Sequence, residues 1–156
     1  MQKTTVKTKK PHNSVSLLGK YEVAVLSDQR IILPANIIRQ LEGNGIEKIL
    51  LGRLPGCKAL VLCPENLWSY WVKKITKRFP CLETQDGARA FLIPWQPTTW
   101  DSKGRISLPR RAKEYAGIRA NHTVIVMCID YYIELWAEEE FSKTTRKCEI
   151  ALGESV

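Results

Sequence analysis

The chain of 156 residues carries 24 Lys and Arg against 16 Asp and Glu, a formal charge of +8 at pH 7. Lys and Arg gain by displacing condensed counterions from phosphates, so this balance makes a polyanion, nucleic acid foremost, the leading class of partner. A hydrophobic fraction of 44% allows a buried core, five cysteines without a Cys-x-x-Cys pair argue against a disulfide framework, and no apolar run is long enough for a signal peptide or a membrane helix.

Residues 1–16, with Lys3, Lys7, Lys9 and Lys10 among Thr, Pro, Asn and Ser, lack apolar periodicity and read as a flexible basic arm. An extended run at 21–25 follows, then a polar loop ending at Arg30 and a short apolar segment. Pro34 then opens a helix at 35–41, because a first helical turn does not need the amide hydrogen that proline lacks. Strands are expected at 48–51 and 59–62 around the turn signal Arg53-Leu-Pro-Gly56. An acidic-led helix is expected at 64–71, where Trp68 and Trp71, three apart, point inward.

After a linker at 76–89 the pattern begins again. An extended run is expected at 90–93, a loop at 101–104, a helix at 110–116 behind Pro109, strands at 123–128 and 131–135 with Asp130 at the bend, and a helix led by Glu138, Glu139 and Glu140 at 137–141. That acidic run reads as a helix start rather than a metal site, and Trp136 and Phe141 as inward anchors. A polar tail covers 143–156. Arg105, Ile106, Leu108 and Pro109 repeat Arg30, Ile31, Leu33 and Pro34 at one offset of 75 positions. A period this long points to two related half-domains, since a solenoid repeats at a shorter interval. Halves of this size gain by sharing one core, which buries a larger fraction of their surface.

One eleven-residue window, 103 to 113, holds Lys103, Arg105, Arg110, Arg111 and Lys113. Asp101 and Gly104 give it a mechanism. A carboxylate four residues before Arg105 accepts hydrogen bonds across a tight loop, and Gly104 admits a positive φ and a close approach of backbone to DNA. A guanidinium so presented suits bidentate contact with guanine O6 and N7 or with a phosphate. The same residues also suit an internal Asp–Arg pair or a solvated basic loop. Cys63 and Cys128 read as buried small hydrophobes. With only His12 and His122, and no Walker loop, Gly-x-Ser-x-Gly elbow or His-Glu-x-x-His, the chain has little material for catalysis, a metal or a cofactor.

On these motifs the chain resembles the MraZ family of transcriptional regulators, built from two SpoVT-AbrB type repeats. The residues that carry the resemblance span about 17 to 142: Leu18-Gly-x-Tyr-Glu22, Arg30-x-x-Leu-Pro34 and Gly56-Cys-Lys-Ala-Leu-Val-Leu-Cys-Pro-Glu65 in one copy, then Asp101-x-x-Gly-Arg105, Leu108-Pro109, Lys113-Glu-Tyr-Ala-Gly-Ile118 and Ile133-Glu-Leu-Trp136 in the other. The resemblance implies an α+β, mainly β fold, a double-split β-barrel of interleaved hairpins capped by helices, with repeats at 17–75 and 90–142. It further implies a sequence-specific DNA-binding regulator, a repressor of the division and cell-wall gene cluster that includes its own promoter. The partners so implied are double-stranded DNA carrying tandem direct repeats and further copies of the chain in a ring-like homo-oligomer, in the cytoplasm at the nucleoid. No membrane, small-molecule substrate or cofactor is expected. DNA contact is expected at Arg30, Asp101, Lys103, Gly104, Arg105, Arg110 and Arg111.

The first copy departs from the family pattern. Leu26, Asp28 and Gln29 stand where the family favours Asp, Lys and Gly, and Ile38 replaces a usual basic residue beside Arg39. Arg30 therefore lacks a carboxylate at the usual position, an acid stands where a cation would help, and Arg30 is expected to contribute less to DNA than Arg105. A competing expectation is that Asp28 and Gln29 read bases themselves, through cytosine N4 and adenine. Another functional class stays in view: an AbrB-fold antitoxin that binds a protein partner. Two repeats and a short polar C-terminus count against it, and an enzyme is more remote still.

Overall fold

The structure is a computed structural model that describes residues 17–153. The basic arm at 1–16 and the last three residues of the expected tail lie outside the described residues. Thirteen elements follow one another: β1 (Leu17–Ala24), β2 (Arg30–Ile32), α1 (Ala35–Gly43), β3 (Ile49–Arg53), β4 (Leu60–Pro64), α2 (Trp68–Arg78), α3 (Gln85–Leu92), β5 (Gln96–Thr98), β6 (Arg105–Ser107), α4 (Arg110–Ala116), β7 (Thr123–Asp130), β8 (Tyr132–Ala137) and α5 (Glu138–Ala151).

Six strands form one antiparallel sheet in the order β1-β7-β8-β4-β3-β5, and β2 pairs with β6 in a separate two-stranded ribbon. The sheet is open rather than closed into a barrel, and the fold is α+β as expected. Its order is nearly the same from either edge. β1 of the first half pairs with β7 of the second, and β5 of the second pairs with β3 of the first, so each half supplies an edge strand to the other. The halves meet where β4 pairs with β8.

Alternation sets the register of the ribbon. Ile31 and Ile106 sit opposite each other and are fully buried, while Arg30, Ile32, Arg105 and Ser107 take the outward face. Burying a side chain such as Ile contributes about 1.5–3 kcal/mol, so this isoleucine pair anchors the ribbon to the core and fixes which residues face out. Pro34 and Pro109 precede α1 and α4 in extended conformation, as the sequence requires. Trp71 is buried and packs edge-on against Trp95 and Tyr132, and Trp136 is buried with its ring edge-on to Phe141. Cys63 and Cys128 are buried, which pushes their thiols up to about 12 and about 11.

Three expectations need correction. Residues 90–93 are not a strand: Ala90 to Leu92 end α3, and the strand ahead of the second loop is β5. Thr84 caps α3 by accepting from the Gly87 amide at 3.0 Å, Asp86 favours its first turn, and Phe91 is buried against the Trp68, Trp71 and Trp95 rings. The expected linker at 76–89 accordingly contains the end of α2, a 3₁₀ turn at Pro80–Glu83 and the start of α3. The expected polar tail is helical as far as Ala151, because α5 continues through it. Among the described residues no helix is long and apolar enough to cross a membrane.

Candidate nucleic-acid interface

Pairing of β2 with β6 brings the two duplicated loops to the two ends of one ribbon. Each loop is the same backbone turn. In the first, the Gln29 amide donates to the Leu26 carbonyl at 2.9 Å and the Leu26 amide to the Arg30 carbonyl at 2.8 Å. In the second, Gly104 donates to Asp101 at 2.9 Å and Asp101 to Arg105 at 3.1 Å. The turn requires a left-handed residue before the arginine: Gln29 has φ 72° and Gly104 has φ 77°. Gly104 meets this at no steric cost, whereas Gln29 is one of only three non-glycine residues with positive φ among those described.

Asp101 organises the second loop. Its Oδ1 accepts from the amides of Lys103 and Arg105, each at 2.9 Å, and its Oδ2 accepts from Arg105 Nε at 2.6 Å. The Arg105 amide, then the Arg105 guanidinium and the Lys103 amide, bring its carboxyl down to about 2, against partial desolvation, which pushes it up. Asp101 also crosses the ribbon. Its Oδ2 stands 3.4 Å from Arg30 Nη1, so one carboxylate bridges the arginines of both copies. Arg30 and Arg105 are about one-third exposed and border an open groove of about 430 Å³ with Thr98, Trp100 and Ser107.

The usual position holds Leu26, as the sequence shows, but Arg30 is bonded by a carboxylate from another position. Asp28 Oδ1 accepts from the Arg30 amide at 3.1 Å, and Asp28 Oδ2 accepts from Arg30 Nε at 2.9 Å and Nη2 at 2.6 Å. The side-chain bond from Arg30 is the main reason its carboxyl lies below the usual range. The sequence signal was an acid two residues before the arginine, which the family pattern disguised as an acid in a cation's place.

Each loop rests on the helix of the other copy. A Cβ added to Gly104 would come within 3.3 Å of Ile38 Cγ1 on α1 and 3.4 Å of the Leu33 carbonyl oxygen. At the corresponding place in the other loop, Lys113 Nζ on α4 donates to Gln29 Oε1 at 2.9 Å. Ile38 and Lys113 occupy equivalent positions, as do Gln29 and Gly104. Ile38 therefore has a packing role in place of the charge that the family pattern leads one to expect.

Of the remaining expected site residues, Lys103 is exposed on its turn, and Arg110 and Arg111 are exposed on the first turn of α4. Arg110 Nε donates to Glu114 Oε1 at 2.9 Å on the surface, a contact worth little in water. Arg110 and Arg111 border a different cavity, of about 630 Å³, shared with Arg53, Ile93 and Tyr115. The structure thus brings Arg30, Asp101 and Arg105 together and leaves Arg110 and Arg111 beside them on another surface.

The chain is similar in sequence to known proteins. Residues 91–154 match a family model described as "MraZ protein, putative antitoxin-like". A protein of Clostridium acetobutylicum is 30% identical over 128 residues, 80% of this chain and 83% of its own length. One from Bacteroides fragilis is 28% identical over 131 residues, 83% of this chain and 82% of its own length. Another, from Bacteroides thetaiotaomicron, is 28% identical over 127 residues, 80% of each chain. All three are named transcriptional regulator.

Proposed function

The chain belongs to the MraZ family, and from that premise we propose that it is a regulator of transcription, not an enzyme, which binds double-stranded DNA in a sequence-specific way through the β2–β6 ribbon and its two loops. The observation that carries this reading is the bonding of Arg105. Asp101 holds its Nε and its amide, while its Nη groups have no protein partner among the described residues. A guanidinium fixed from one side and open at its tip is pre-organised for bidentate contact with guanine O6 and N7.

In this reading Gly104, which is buried against Leu33 and Ile38, shapes the turn rather than touching DNA, and Lys103, Arg110 and Arg111 contact phosphates and set the salt dependence of binding. The two copies, 17–75 and 90–142, are the SpoVT-AbrB repeats. The target is the division and cell-wall gene cluster, its own promoter included, and the action is repression, at the nucleoid in the cytoplasm. Several copies of the chain assemble head to tail into a ring that presents identical loops to tandem direct repeats, where linkage raises effective concentration. The net charge of +8 supports a polyanionic partner over the protein partner of an antitoxin.

Electrophoretic mobility shift with DNA from upstream of the chain's own coding sequence tests the reading. Retarded bands that survive competitor DNA of unrelated sequence are expected, and their loss to equal competitor would contradict sequence-specific binding. Light scattering on the purified protein is expected to give a homo-oligomer larger than a dimer; a monomer that still binds tightly would overturn the ring.

A further inference from the structure

The loop that departs from the family pattern carries the same arginine clamp, built from a different position. In the second loop the acid four residues before the arginine gives Oδ1 to the Arg105 amide and Oδ2 to Arg105 Nε. In the first loop that position is Leu26, and the acid two residues before the arginine gives Oδ1 to the Arg30 amide and Oδ2 to Arg30 Nε. We propose that Asp28 is a positioning residue that replaces the missing carboxylate and makes Arg30 a second DNA-reading side chain, so that both loops of one subunit address DNA together.

The geometry of the guanidinium supports this. Asp28 engages the Nε and Nη2 side of Arg30, at 2.9 Å and 2.6 Å, which leaves the hydrogens at the Nη1 and Nη2 tip for a base edge. Among the described residues the only other partner on that tip is Asp101 at 3.4 Å, too long to compete strongly with a base. An acid standing free beside DNA repels phosphate. An acid committed to a side-on bond instead restricts its arginine to one orientation, which reduces the ordering cost at the moment of binding. Gln29 does not need to read a base: its side chain is held by Lys113 at 2.9 Å.

This proposal rests on the DNA-binding reading above, and the test separates the two. Wild-type protein, Asp28→Ala, the double variant Leu26→Asp with Asp28→Ala, and Arg30→Ala are titrated with the upstream fragment, with single-base-substituted versions of it and with unrelated DNA of equal length. Asp28→Ala is expected to bind the upstream fragment about tenfold more weakly, within the usual value of one bidentate base contact, and to lose preference at the same base pair as Arg30→Ala. Binding to unrelated DNA is expected to tighten at low salt, because a negative charge near phosphate is gone. Leu26→Asp in the same chain is expected to restore the upstream affinity. The Arg30 Nε–Hε resonance in NMR is expected to be sharp in the wild type and the double variant and broadened in Asp28→Ala. Tighter binding of Asp28→Ala to all DNA alike, with base preferences unchanged, would overturn the proposal and leave Arg105 as the reading residue. A wild-type protein without preference for the upstream fragment would overturn both readings, and this shows before any variant is compared.

Discussion

The loop at 26–30 and the loop at 101–105 share one backbone turn and differ in almost everything that holds it. In the second loop a glycine meets the left-handed φ, one carboxylate bonds two amides and a guanidinium, and Ile38 closes the underside. In the first, glutamine takes the left-handed φ, a lysine from α4 secures it, and the carboxylate sits two positions later in the chain. A turn that presents an arginine tolerates such exchange provided that something fixes the arginine's amide and Nε. What the exchange changes is where strain and charge reside: the second loop is relaxed and cation-rich, the first strained and nearly neutral.

Removing the element that the two loops share should produce the largest effect. Asp101 touches both arginines, so Asp101→Ala is expected to weaken binding to the upstream fragment by more than about tenfold, beyond either single arginine's contact, with base preference reduced at both loops. Acid should act in the same direction. Because the folded carboxyl of Asp101 titrates at about 2, below its ordinary 3.8, its contribution to stability is complete above the ordinary value and is lost as pH falls toward about 2. Arg105 Nε–Hε resonances should therefore stay sharp at pH 5 and broaden only between about pH 4 and pH 2; broadening near neutral pH would contradict the clamp.

Next in size is the contrast between the arginines. Arg105→Ala is expected to lose on the order of 1–3 kcal/mol of discrimination, and Arg30→Ala less, because two carboxylates, Asp28 and Asp101, stand beside its guanidinium and offset its charge, where Arg105 pairs with Asp101 alone among the described residues. Equal losses would remove the asymmetry. The glycine contrast is smaller and concerns stability. Gly104→Ala is expected to destabilise by about 1–2 kcal/mol, through the left-handed φ and the approach to Ile38, whereas Gln29→Gly is expected to change stability by less than about 1 kcal/mol, since relief of strain is offset by loss of the Lys113 bond and by a more flexible unfolded chain. Thermal unfolding checks both. Smallest in sequence preference are Arg110→Ala and Arg111→Ala. Each is expected to weaken all DNA alike and to reduce the slope of log affinity against log salt by about one, and a change in base preference would move α4 from phosphate contact to base reading.

Much of this was legible in the residues. Pro34 and Pro109 announced α1 and α4, the 75-residue offset announced the duplicated turn, and Asp101, Gly104 and Arg105 announced the clamp of the second loop. Two kinds of feature stayed hidden. Residues 90–93, at the end of α3, suggest a strand because a run of four apolar residues fits either period, and only the aromatic cluster of Trp68, Trp71 and Trp95 decides that Phe91 lies on a helix. The clamping role of Asp28 is hidden because comparison by position asks whether the same residue occupies the same place. The turn needs only a carboxylate within reach of Arg30's amide and Nε, and a residue two positions back reaches both. The bridge from Arg30 to Asp101 joins residues 71 apart and depends on the pairing of β2 with β6, which no local pattern displays.

The central claim is that the two loops of one subunit form a single DNA-reading face. Its most direct test is a base-by-base substitution profile of the upstream fragment, measured by mobility shift for the wild type, Arg30→Ala and Arg105→Ala under one salt condition. The two variants are expected to lose preference at two different base pairs within one binding site, with the larger loss for Arg105→Ala. An Arg30→Ala protein whose profile matches the wild type at every base pair would contradict the two-loop face.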